Sequence, residues 1–324
     1  MSSNLPELAD VSLPSGAPAN IPDPRIQSTQ LKEWLIAAIL FCLTLICTSF
    51  AGMFYSFGDI GFTRALMMLA RDPGIILYGL AFSIPLISIL LAHELGHYFA
   101  CKYYGMSCTP PFFIPVPIPI TGTLGAFIRI KSAFLNKRAL FDVGVSGPLA
   151  GFCLTVPFLC IGIGMSKLVP KGTFPPGGIS FGEPLIFRFV GALLLGYSPV
   201  SQDMIPHPIA MAAWIGLLAT SLNLLPVWQL DGGHITYAIL GRARQKLLTI
   251  VGIAFMVLLS LWQWPTPSYL LFAMMLLFFG WRSRFDHPRT LFEEEPLGEG
   301  RIAVGLVALL IFIASFIPVP ISFG

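Results

Sequence analysis

The stretch Leu91-Ala92-His93-Glu94-Leu95-Gly96-His97-Tyr98-Phe99 decides how this chain is read. It carries His-Glu-x-x-His inside a long apolar run, not on a polar surface. On a helix, residues four apart lie on one face about one turn from each other, so His93 and His97 project together. That spacing suits two imidazoles on a single Zn²⁺, with the intervening Glu94 placed as general base towards a water. A catalytic zinc takes three protein ligands and keeps a fourth position for water. The motif is therefore one ligand short.

Around that stretch the chain is apolar throughout. Of its 324 residues, 55% are hydrophobic and 11% charged. A soluble domain carries about 25% charged residues, so this composition belongs to an integral membrane protein. The net charge of +3 is too small to point to nucleic acid. The six cysteines fall mostly within apolar runs, form no Cys-x-x-Cys, and read as small packing residues. Cys101 shares the helical face of the two histidines. It lies about 12 Å from His93 along a straight helix, too far for one metal.

Residues 1–31, rich in Pro, Ser, Ala and Asn, read as a disordered tail without the pattern of a cleavable signal peptide. Seven runs then approach the roughly 20 residues needed to cross a bilayer. They are approximately 33–54, 75–104, 140–167, 207–227, 247–264, 266–281 and 302–318. Glu183 and Arg188 interrupt the segment 181–198, which suits an interfacial or re-entrant helix better than a span. The loop 108–136 holds Pro110, Pro111, Pro115, Pro117 and Pro119, which forbid a regular helix. Residues 123–131 end instead in the apolar/polar alternation of a strand. The expected fold is thus an all-α polytopic membrane protein of about seven transmembrane helices. A small extended or β-hairpin element follows the second span. Residues 32–324 form one membrane domain, with a catalytic core at about 75–240 and accessory spans over 247–318. With the second span ending in the cytoplasm, 14 Lys and Arg fall on the cytoplasmic side and five on the other. This favours an N-in, C-out arrangement with the His-Glu-x-x-His near the cytoplasmic face.

Few acids lie inside apolar runs, and Asp231 is one of them, in Asn223-Leu224-Leu225-Pro226-Val227-Trp228-Gln229-Leu230-Asp231-Gly232-Gly233-His234. An ionisable residue at membrane depth marks a functional site by default. Pro226 breaks or kinks the fourth span, and the glycine pair permits a turn or close approach. If that span packs on the second, Asp231 reaches the histidines.

Together, His93-Glu94-x-x-His97 and Asn223-x-x-Pro226-x-x-x-x-Asp231-Gly232 resemble the intramembrane zinc metalloproteases of the site-2 protease family. Residues 122–126 (Gly-Thr-Leu-Gly-Ala) and 138–151 add to the likeness, which is strongest for the bacterial and chloroplast branch without a PDZ insert. It covers roughly residues 75–240. The resemblance implies one Zn²⁺ per chain, held by His93, His97 and Asp231, with Glu94 as general base. Asn223 would hold the substrate carbonyl or the oxyanion. It further implies hydrolysis of a peptide bond within or near a transmembrane segment of a membrane protein, in regulated intramembrane proteolysis. The expected location is a bacterial inner membrane, with the site towards the cytoplasm.

Such a substrate must unwind before it is cut. The extended residues Thr123, Leu124, Gly125, Ala126 and Phe127 are expected to bind it by strand addition. His234 reads as a solvated or packed residue, and His207 and His287 as loop residues before prolines. Gly144, Ser146, Gly147, Ala150 and Gly151 form a small-residue patch suited to close helix packing. Two other functions compete: a metal-ion transporter with intramembrane ligands, and a non-catalytic scaffold of the same fold.

Overall fold

Polarity runs inside out along the first helix. α1 (Pro24–Phe57) exposes Leu35, Ile36, Ile39 and Leu43, whereas Thr44, Thr48 and Ser49 are buried. Lipid produces this inversion, because it solvates leucine as well as a protein core does and leaves small polar groups to join helices. Thr48 Oγ1 bonds the Thr44 carbonyl at 2.8 Å and meets Ser83 Oγ of the next long helix at 2.5 Å. The computed structural model describes residues 24–58, 61–173, 178–264, 267–282, 284–292 and 296–323. The expected tail over 1–31 lies outside these as far as residue 23. From Pro24 the chain is already helical, since proline suits a first turn and helix propagates outward from the span behind it.

After the amphipathic α2 (Phe62–Arg71), a 3₁₀ segment (Pro73–Gly79) runs straight into α3 (Leu80–Tyr103), which carries the histidines. Asp72 starts the segment by accepting the Gly74 N–H at 2.9 Å. The proline-rich loop then forms an antiparallel hairpin of β1 (Phe112–Pro115) and β2 (Thr123–Phe127). Its ladder is shorter than the alternation over 123–131 suggests, and only an isolated bridge joins Cys108 to Ile130 beyond it. The hairpin leans on α1. Gly122, at φ 71°, lies where a Cβ would overlap the backbone of Cys47 and Thr48. Phe41 and Phe113 meet edge to face at 5.4 Å, and the Tyr55 hydroxyl donates to the Ile120 carbonyl at 2.7 Å.

α4 (Lys137–Gly164) begins where Asn136 accepts the Ala139 N–H at 2.9 Å. It packs along α3 on its small-residue face: a Cβ on Gly96 would overlap the Ser146 carbonyl. At the far end of α4 come β3 (Lys167–Pro170), β4 (Ile179–Phe181), α5 (Leu185–Leu195) and β5 (Gln202–Ile205). Then follow α6 (Pro208–Asn223), α7 (Asp231–Leu240), α8 (Arg242–Trp262), α9 (Leu270–Arg282), α10 (Glu299–Ser315) and β6 (Ile321–Phe323). β3 pairs with β5 and β4 with β6, both antiparallel. These two small sheets are an addition to the all-α expectation.

Among the described residues, four helical runs are long and apolar enough to cross a membrane, at residues 30–57, 73–103, 137–164 and 242–262. α5, α6 and α9 are apolar but shorter. α6 stops at Asn223, ahead of Pro226, because the residue before a proline resists helical geometry. α10 is tied to the core by charge. Arg301 grips the Asp142 carboxylate of α4 through two bonds of 2.8 and 2.7 Å, and the Tyr104 hydroxyl bonds the same carboxylate.

Farther along α4, a Cβ on Gly162 would overlap the Ala210 backbone of α6, whereas Gly164 faces open space. Gly162→Ala is therefore expected to lower the thermal midpoint in detergent by roughly 5 °C. Gly164→Ala should leave it unchanged, with tryptophan fluorescence as the readout.

Candidate active site

His93, Glu94 and His97 occupy the buried face of α3, with exposures of 6%, 6% and 8%. α4 makes room for the imidazoles by presenting backbone where side chains would stand. A Cβ on Gly147 would overlap the His97 ring, and one on Gly151 would lie 3.2 Å from His93 Cβ. The small-residue patch read as a packing face thus packs on the two histidines. Val143 of α4 fixes one ring: its carbonyl lies 2.7 Å from His97 Nδ1. A carbonyl only accepts, so Nδ1 carries the proton and Nε2 presents its lone pair.

Asp231 arrives from the break between α6 and α7. In that loop Trp228 takes φ 44°, a left-handed conformation uncommon for a residue with a side chain. α8 holds it there. The Trp228 N–H donates to Thr249 Oγ1 at 2.8 Å, and Gln245 Nε2 donates to the Trp228 carbonyl at 3.2 Å. Both α8 residues are fully buried. Gly232 and Gly233 let α7 begin directly against this loop, where Cβ atoms would overlap the Leu224 and Trp228 carbonyls.

The result is a tight triangle. Asp231 Oδ2 is 3.2 Å from His93 Nε2, Oδ1 is 3.3 Å from His97 Nε2, and the two nitrogens are 3.1 Å apart. Tetrahedral zinc with bonds of about 2.0–2.1 Å separates its ligand atoms by about 3.3–3.4 Å. The spacing and the donor set, two imidazoles and a carboxylate, both fit such an ion. Asn223 Nδ2 lies 3.3 Å from His93 Nε2. Beside the triangle is a cavity of about 230 Å³, lined among others by Glu94, Asn223, Ala126 and Phe127. Of the other hairpin residues singled out from the sequence, Thr123 turns its hydroxyl to the Ile114 carbonyl at 2.9 Å and Leu124 is exposed. Gly125 sits at φ 105°.

Residues 81–259, more than half of the chain, match peptidase family M50. The chain belongs to that family. This M50 chain is 28% identical over 305 residues to the probable zinc metalloprotease EGY1, chloroplastic, of Arabidopsis thaliana, covering 90% of the chain and 54% of that relative. It is 30% identical over 237 residues to the probable zinc metalloprotease EGY2, chloroplastic, of the same plant, covering 72% and 41%. A rice relative, the probable zinc metalloprotease EGY3, chloroplastic, of Oryza sativa subsp. japonica, is 29% identical over 250 residues, covering 72% and 41%. The M50 chain thus spans about half the length, or less, of these curated relatives.

Several residues at the site escape sequence reasoning. Val143 acts through its backbone, which leaves no side-chain signal. Gln229 and His234 line the cavity from either side of Asp231; their nearness to the acid was the only cue. Thr249 and Gln245 look like ordinary polar residues at the start of a span.

The glycine face gives a direct test in this M50 chain. Gly147→Ala is expected to weaken Zn²⁺ affinity about 10–100-fold, measured by competition with a chromophoric chelator. Gly300→Ala, which meets open space, should leave the affinity unchanged.

Proposed function

We propose that this chain is a zinc-dependent intramembrane endopeptidase that hydrolyses a peptide bond within or near a transmembrane segment of another membrane protein. One observation carries the reading: two motifs far apart in sequence meet around a partly buried carboxylate. His93 and His97 of α3 close on Asp231 of α7, and Glu94 faces the same cavity. Bound there, zinc supplies positive charge and a water that loses its proton near neutral pH. Glu94 takes the proton of the attacking water and passes it to the leaving amine. The Asn223 side-chain amide donates to the peptide carbonyl oxygen as charge develops on it, which counts for most in a dry site.

A transmembrane substrate has every amide locked in its own helix, so attack needs local unwinding. β2 belongs to a two-stranded sheet and keeps one edge unpaired by β1. Ala126 and Phe127, at its end, line the cavity. An unwound substrate recovers its backbone hydrogen bonds on that edge. This favours substrate binding by residues 123–127, and regulated intramembrane proteolysis as the setting.

The transporter reading is weaker. Transport sites repeat across related halves. Among the described residues, His93, His97 and Asp231 are the only group of three such donors placed to share an ion. A non-catalytic scaffold has no need of Glu94 beside a complete ligand set. In the proposed topology α1, α3, α4, α6, α8, α9 and α10 make seven spans. The catalytic core is residues 75–240, with accessory spans over 247–318. The distribution of 14 Lys and Arg against five supports a cytoplasmic N-terminus and a site near the cytoplasmic face. A bacterial inner membrane is the proposed setting; the names of the relatives place those proteins in chloroplasts.

Two variants separate the parts of this mechanism. Glu94→Gln should keep its zinc and lose cleavage of a co-expressed single-span substrate by at least ~100-fold. Undiminished cleavage would rule out Glu94 as the base. Phe127→Pro, which removes a donor from the strand, should abolish cleavage at unchanged zinc content. Full activity in that variant would sink the strand-addition step.

A further inference from the structure

A second pair of imidazoles lies beside the first. His234 Nδ1 is 2.6 Å from His287 Nε2, and the ring centroids are 4.8 Å apart at 90°. Two nitrogens that close share a proton and do not share a metal, whose ligand atoms stand wider apart. His287 is almost fully buried, and its other nitrogen, Nδ1, lies 2.7 Å from the Pro288 carbonyl. Tyr237 covers its face, with centroids 4.5 Å apart.

These contacts fix where the protons sit. The Pro288 carbonyl can only accept, so His287 Nδ1 carries a hydrogen. Burial holds the His287 imidazole below its usual pKa and so neutral. Its Nε2 is then a lone pair, and His234 Nδ1 must donate to it. A cation held by Asp231, one turn away on the same helix, disfavours a second proton on His234. His234 Nε2 is left as an acceptor, and it has no hydrogen-bond partner among the described residues. His234 lines the same cavity as Glu94, Asn223, Ala126 and Phe127.

An acceptor kept in one tautomer, on the wall of a cavity where a peptide is to lie extended, matches a backbone N–H. β2 can satisfy only one edge of that peptide, since successive amides of an extended chain point to opposite sides. We propose that His234 Nε2 accepts a substrate backbone N–H on the side turned away from β2, and that His287 is the positioning residue that fixes the His234 tautomer. The proposal rests on the protease reading and names a substrate contact that the strand edge cannot supply.

The test measures binding in full-length, zinc-loaded Glu94→Gln protein in detergent. The probe is a dye-labelled synthetic Leu/Ala transmembrane peptide with a central Asn-Gly step. A series of ester analogues replaces one backbone N–H at a time by oxygen around that step. His234→Phe should weaken binding of the parent peptide about five- to tenfold. With one particular ester analogue the penalty should vanish, because the N–H that His234 accepts is already gone. His234→Gln, which restores an acceptor, should regain most of the affinity. His287→Phe should cost less than His234→Phe, and His287→Gln, able to accept from His234 Nδ1, should restore it. A merely structural role would penalise every ester analogue alike, and that outcome overturns the proposal. So does unchanged binding in both His234 variants. Failure of the protease reading looks different: the parent peptide neither binds the Glu94→Gln protein nor is cut by the wild type, and the proposal falls with it.

Discussion

Two imidazoles and a carboxylate can share one ion only if three backbone segments come closer together than side chains normally permit. Most of the local design around the site follows from that constraint. α4 reaches the α3 histidines by presenting Gly147 and Gly151, and α7 reaches them by starting on Gly232 and Gly233. A glycine in a helix costs about 1 kcal/mol relative to alanine in water. That cost is accepted here at each point where a ring or a carbonyl occupies the place of a Cβ. The Val143 carbonyl and the Trp228 loop serve the same end, one by choosing the tautomer of His97 and the other by aiming Asp231.

The bilayer sets the second constraint. Some buried polar groups along the helices find partners on a neighbouring segment, as the Thr48 hydroxyl does with Ser83 and the Gln245 amide nitrogen with the Trp228 carbonyl. Charges collect at the two ends. Lys131 pairs with Glu33 at 2.6 Å, and Arg242 and Lys246 pair with Asp286, on the side of the hairpin and the histidines. Lys171 pairs with Asp203 and Arg188 with Glu183 on the other. The hairpin lies between these regimes, packed on α1 and opening its last residues onto the cavity. In the proposed mechanism it is where an unwound peptide would satisfy its amides without meeting bulk water.

Much of this was legible in the sequence, for physical reasons. His93 and His97 declare themselves because helical spacing is local, and Asp231 because a lone acid in an apolar run demands a partner. The helices are legible because lipid requires long apolar runs. What depends on distant pairing was not. β4 has three residues and joins a strand from the far end of the chain, so no periodicity marks it. Nothing in the order of residues relates His234 to His287. The alternation over 123–131 overstated β2. Ile128 and Ile130 are half-buried against Cys101 and Val143, and an irregular extended chain lying on one packed surface gives the same pattern as a strand.

The grip of Arg301 on Asp142 has a consequence in time. The two residues are 159 apart in sequence. At about 5–20 residues per second, a ribosome adds the arginine roughly 8–30 s after the aspartate. Throughout that interval the first turns of α4 carry a carboxylate without its cation, although the helix that seats both histidines is already made. β4 waits almost as long for β6, since Ile179 pairs with Phe323 and Phe181 with Ile321. Later segments thus lock a helix that was made earlier, and a chain caught midway through synthesis holds His93 and His97 before it has the clamp on the helix that packs against them.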